Sequence, residues 1–234
     1  MAEQKLRIMV QEFPAEPDVH RTMAHQASAN GRHDLALQHM TTAWQLAPDS
    51  IEFGFQLGCL QAHAGQYAEA VTHFRRTAEY QPDRADAWYF LGTSLLRLHR
   101  DTEALAALRT ARALAPGHVK ILRALADLEF RAGYPADALP LWQELLGIDP
   151  DDVDACLKTG ETMSRLGLHD QAIASYETTL ERMPQAADLW MALAQSREDN
   201  DDRTAALAAY QQALALKPGW AFPLSGMLGV QRGK

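Results

Sequence analysis

Cysteine is nearly absent from this chain: Cys59 and Cys156 are the only two in 234 residues. No metal-type spacing joins them, and one bridge would be a thin framework for this length. Free thiols in a reducing, cytoplasmic setting are therefore the expectation. Asparagine is scarce as well, confined to Asn30 and Asn200. No apolar run approaches the length of a membrane span. The opening MAEQKLRIMV spreads charges among its apolar residues, which does not make a signal peptide. Glycines are dispersed rather than clustered, which argues against a phosphate-binding loop, and no serine sits in a nucleophile elbow. Acidic residues outnumber basic ones for a formal net charge of −8, a balance poorly suited to general nucleic-acid binding.

No catalytic residue, metal or cofactor is expected on these grounds. His25, Cys59 and His63 come nearest to a ligand set, but they share no short spacing motif and zinc needs four ligands, or three and a water. Cys59 has no base placed beside it, as a nucleophile would require. The many acidic residues read as solvated helix faces and turns.

What the sequence does have is a period. Prolines stand at 14, 48, 82, 116, 150, 184 and 218, each 34 residues after the last. Six in-register repeats of a residue at ordinary frequency have a chance probability of roughly one in 10⁸. Twelve residues before each proline from Pro48 onward stands an alanine: Ala36, Ala70, Ala104, Ala138, Ala172 and Ala206. A small residue precedes each by a further twelve: Ala24, Gly58, Gly92, Ala126, Gly160 and Ala194. Two antiparallel helices approach closely only where side chains are small, so these two positions predict a helix pair per repeat, with Gly92 meeting Ala104 in the third. A large residue four past each alanine (Met40, Phe74, Leu108, Trp142, Tyr176, Tyr210) fills the space between repeats. The proline ends the second helix. Asp49, Asp83 and Asp151 are placed to cap the next first helix. Gly31, Gly65, Gly133 and Gly167 fall at the turn inside the pair, where a left-handed residue ends a helix. Pro140 falls inside a second helix and is expected to bend or loosen its first turns, making repeat four the irregular one.

The segment from Trp88 to Pro116, WYFLGTSL followed by EALAALRTARALAP, resembles the tetratricopeptide repeat family in period and signature. The resemblance implies an all-α fold, a right-handed α-solenoid of antiparallel helix pairs. The units are expected at 17–50, 51–84, 85–118, 119–152, 153–186 and 187–220, with an N-terminal capping helix in 1–16 and a partial capping helix in 221–234. The early aromatic of the family pattern is present as Trp88 and Trp190 and replaced elsewhere by His20, Gly54, Leu122 and Cys156.

Such a resemblance speaks to fold far more than to function. It implies that the first helices line a concave groove, with places 2, 5, 6, 9, 12 and 13 of each repeat facing inward. Those places hold Phe55, Tyr89, Phe90, Arg97, Lys120, Arg123, Phe130, Arg131, Lys158 and Arg165, with more basic than acidic residues across repeats three to five on a chain that is acidic as a whole. Aromatic and arginine groups together are what peptide-binding hot spots use. The expected partner is a protein or peptide with acidic groups beside an apolar anchor, held across repeats two to five. The competing reading packs Phe90 and Phe130 between neighbouring first helices and pairs the arginines with Asp127 and Glu161. The carboxylate clamp of co-chaperones and the asparagine ladder of O-linked GlcNAc transferase both need inner-face asparagines, and neither is supported here. The leading expectation is a non-enzymatic interaction scaffold. The alternative is the substrate-recruiting part of a larger glycosyltransferase, sulfotransferase or hydroxylase whose catalytic part lies beyond Lys234. The apolar terminal segment also allows a weak homodimer.

Overall fold

The computed structural model describes residues 12–220 and 227. The expected capping helices in 1–16 and 221–234 lie almost wholly outside the described residues. Among the described residues the secondary structure is helical, without strands. The helices are α1 (Pro17–Ala29), α2 (His33–Leu46), α3 (Ile51–His63), α4 (Tyr67–Tyr80), α5 (Ala85–Arg97), α6 (Asp101–Leu114), α7 (Val119–Arg131), α8 (Pro135–Ile148), α9 (Val153–Arg165), α10 (His169–Arg182), α11 (Ala187–Asp199) and α12 (Arg203–Leu216). First helices (odd numbers) alternate with second helices (even numbers), so the fold is an all-α helical repeat of the solenoid class. The chain divides into two compact units, residues 1–116 and 117–234. Within each unit every helix packs on its chain neighbours, and the contacts α3 to α5 and α9 to α11 join successive first helices.

The small residues do what their spacing predicts. Ala24, Ala36, Ala70, Ala104, Ala126, Ala138, Ala172, Ala194 and Ala206 are all fully buried. A Cβ added to Gly92 would come within 2.7 Å of Leu108 Cγ and 3.3 Å of the Ala104 carbonyl. Gly92 therefore does meet Ala104, and it also makes room for the large residue one turn further along α6. The turn inside each pair needs a left-handed residue. Gly31, Gly65, Gly133 and Gly167 supply it with φ between 72° and 86°. Where the register lacks glycine, His99 (φ 57°) and Asp201 (φ 60°) adopt the same conformation. Repeat geometry overrides the ordinary cost of that region for a residue with a Cβ.

One expectation is corrected. The helix caps lie one residue beyond the aspartates that follow the prolines. Ser50 Oγ accepts from the Phe53 amide at 3.2 Å and Asp152 Oδ1 from the Ala155 amide at 3.0 Å. Asp49 and Asp151 instead accept from Arg76 and Arg182, and the α5 N-cap is Arg84, which has no side-chain cap. Pro140 lies inside α8, which runs from Pro135 to Ile148. The proline forgoes one hydrogen bond near the first turn, while Ala138, Leu141, Trp142 and Leu145 bury the inner face of the same helix.

The two early tryptophans act alike. Each indole N–H donates to the carbonyl of the proline six residues back: Trp88 to Pro82 and Trp190 to Pro184, both at 2.9 Å. The bond ties a first helix to the loop that precedes it.

Candidate binding surface

In the unit formed by residues 1–116, the first-helix face is organised around Arg84. Its guanidinium lies 3.8 Å from the ring centroid of Phe55 and donates to Glu52 and Asp86, each at 2.9 Å. Partial burial opposes charge on Glu52, but hydrogen bonds from Gln56 and Arg84 outweigh it and hold the carboxyl below its ordinary range. Beneath Arg84, Phe55 is only 7% exposed and packs edge-on against Phe74 and Phe90, with centroids 5.7 and 5.8 Å away. Phe90 stacks on Phe74 at 5.5 Å. Phe55 and Phe90 are thus wedged between helices, and Phe55 is not an accessible anchor. Tyr89 is half-buried beside Phe90, and burial pushes its hydroxyl above the ordinary range. Arg97 is exposed, with its guanidinium 4.8 Å over the Tyr67 ring.

The same unit holds an apolar pocket of about 190 Å³, lined by Ala24, His25, Met40, Gln56, Cys59 and Leu60. Ala24 and Met40 form a fully buried floor. His25 Nε2 and Gln56 Oε1 stand 3.2 Å apart at the surface. Burial, with Asp86 adding, pushes the Cys59 thiol up to about 12. It is a neutral, half-buried wall and a poor nucleophile.

In the unit formed by residues 117–234, charges on successive first helices pair off. Arg123 on α7 donates to Asp152 and, at 2.6 Å, to Asp154. Lys158 and Arg165 on α9 share Glu161, at 3.0 and 3.6 Å. Arg165 also lies 3.7 Å from the Phe130 ring centroid. Phe130 is 4% exposed beneath Arg165, so it too is a packing residue. Asp127 is half-buried, and burial pushes its carboxyl above the ordinary range despite Lys158, Arg131 and Arg123 nearby. Arg123 bonds Asp152, which also caps α9, and Asp154 rather than Asp127. Lys120 and Arg131 are exposed and carry no ion pair among the described residues.

The ten residues expected on the groove therefore fall into three groups. Phe55, Phe90 and Phe130 are packing residues, Arg123, Lys158 and Arg165 are ion-paired braces, and Tyr89, Arg97, Lys120 and Arg131 keep accessible surface. The pocket was missed as such. Its walls come from three helices, and the sequence shows only a small residue and a cysteine at helical spacing.

No described helix is long and apolar enough to cross a membrane.

Comparison with known proteins agrees with this architecture. Tetratricopeptide repeat families match residues 55–119, 94–153, 129–196 and 187–219. The chain is 23% identical over 209 residues to the peroxisomal targeting signal receptor of Saccharomyces cerevisiae, covering 71% of this chain and 34% of that protein. It is 26% identical over 132 residues to Superkiller protein 3 of Schizosaccharomyces pombe, covering 53% of this chain and 10% of that protein. It thus spans about a third and a tenth of the lengths of these two relatives. Among solved structures, the C-terminal part of a TPR repeat-containing protein from Cytophaga hutchinsonii superposes with a TM-score of 0.78 at 17% identity, covering 96% of this chain and 92% of that one. YrrB, a TPR protein with an unusual peptide-binding site, gives 0.70 at 18% identity, covering 80% and 96%. MamA gives 0.67 at 20%, covering 74% and 94%. At these identities the structural likenesses speak to the fold. With matches running from residue 55 to residue 219, the chain belongs to the tetratricopeptide repeat family.

Proposed function

We propose that this chain is a non-catalytic protein-interaction module that holds an extended segment of a partner against its first-helix faces. The observation that carries the reading is the apolar pocket bounded by Met40, Cys59 and Leu60. Its volume of about 190 Å³ suits one aliphatic side chain, and the imidazole of His25 and the amide of Gln56 beside it can bond a peptide backbone. The apolar anchor is therefore assigned to this pocket rather than to Phe55 or Phe130. In the second unit, Lys120 and Arg131 are the cations free to meet acidic groups of the partner, which orient the encounter and speed it. Two of the similar proteins support a binding role: one relative is a targeting signal receptor and one structural neighbour has a peptide-binding site.

Selection of displayed random peptides on the full chain tests the proposal. Enriched sequences should share an aliphatic position and carry acidic residues. Enrichment of basic sequences without an aliphatic position would defeat it.

A further inference from the structure

Trp190 forms one wall of a second cavity, remote in the sequence from the surface just described. The cavity, of about 390 Å³, opens at the seam between α10 and α11 and is lined by Glu177, Leu180, Glu181, Trp190, Leu193 and Arg197. Its floor is apolar, with Leu180 and Leu193 no more than 4% exposed. The indole is held in place by its bond to the Pro184 carbonyl. Arg197 is already committed. One of its nitrogens donates to Glu177 at 2.5 Å and another to the Ala205 carbonyl at 3.3 Å. Glu181 stands exposed at the rim with no hydrogen bond or ion pair among the described residues. An aromatic wall, an apolar floor and an uncompensated carboxylate are the elements that hold a planar cation. The ring attracts positive charge over its face, and a carboxylate accepts the forked N–H groups of a guanidinium.

We propose that this seam binds an arginine side chain of a protein partner. The charge of the site favours that occupant: with Glu177 balanced by Arg197, Glu181 leaves one negative charge over. The corresponding seam at Trp88 is different in kind. Arg75 stands where Glu177 does and is bonded to Glu103, and Leu95 replaces Arg197. Glu79 matches Glu181, but Glu103 is shared by Arg75 and Arg100, so these two cations balance both carboxylates, and the seam, with no excess of negative charge, serves as an internal control. The site takes a basic group where the first-helix face takes acidic and aliphatic ones, so it stands or falls independently of that reading.

The test uses the full, ¹⁵N-labelled chain and two probes, Nα-acetyl-arginine methylamide and its norleucine counterpart. The reporter is the indole N–H resonance of Trp190, assigned by its disappearance in Trp190→Phe. The arginine probe should move that resonance saturably, less at higher salt, and leave Trp88 in place, while the norleucine probe moves neither. Glu181→Gln, a change at an exposed position that leaves the fold intact, should weaken the arginine probe by up to about five-fold, the range of one exposed ion pair. A Trp190 resonance that stays put, an equal response of Trp88, or undiminished binding by Glu181→Gln would each overturn the proposal.

Discussion

Gly160 lies against the ring of Tyr176. A Cβ built there would sit 2.1 Å from Tyr176 Cζ, and the tyrosine cannot retreat without breaking its bond to the Leu157 carbonyl. Gly147 is the opposite case: it is helical, with nothing within 4 Å of an added Cβ. Gly160→Ala should therefore lower unfolding free energy by about 1–3 kcal/mol, because overpacking outweighs the helical preference of alanine. Gly147→Ala should raise it by up to about 1 kcal/mol. Urea titration of both variants checks the pair. Opposite signs are expected, and two stabilised variants would contradict the packing described for Gly160. The period alone pointed to Gly160, since a small residue recurs there. It could not show that Phe55 and Phe130 are buried. Helical spacing places them on the first-helix face, but a side chain on that face can point outward or wedge against the next helix. The choice depends on neighbours such as Arg84 and Arg165, which close over the rings.

At the scale of helices, Asp152 carries two duties. It caps α9 through the Ala155 amide and accepts from Arg123 of α7, so one carboxylate ends one helix and ties it to another. Its burial opposes the charge, but the bonds from Ala155 and Arg123 prevail and hold the carboxyl below its ordinary value. The stabilisation is then present above the unfolded-state value near about 4 and is lost as pH falls through the depressed folded value. Arg123→Met should cost on the order of 1 kcal/mol near neutral pH. The difference from the parent should shrink as pH is lowered below about 4. Chemical denaturation across that range measures it, and a difference that grew toward acid would mean Arg123 acts through something other than this carboxylate. Helix pairs, their turns and their ends were legible because proline, alanine and glycine recur in register, each with a backbone or packing reason. The caps were displaced by one residue because the residue just after each proline still belongs to the loop. Its backbone has not yet reached the position from which a side chain can reach the first free amides.

The whole chain carries an excess of negative charge, yet many cations on its first helices are consumed by internal pairs. What stays accessible on the first-helix faces is a small set: Tyr89, Arg97 and the Met40–Cys59–Leu60 pocket in one unit, and Lys120 and Arg131 in the other. Family membership and helical class were readable from the period. The binding chemistry was only partly so, because a pocket bounded by three helices has no signature along one of them. If an aliphatic side chain seated beside Cys59 anchors the partner, filling that pocket must weaken binding. The strongest displayed peptide is measured by calorimetry against the parent chain and against Cys59→Leu, whose side chain occupies the pocket, with melting temperatures taken in parallel. Affinity at least about tenfold weaker is expected for Cys59→Leu, the worth of one buried aliphatic group, with the melting temperature held or raised. Equal affinity for the two proteins would contradict it.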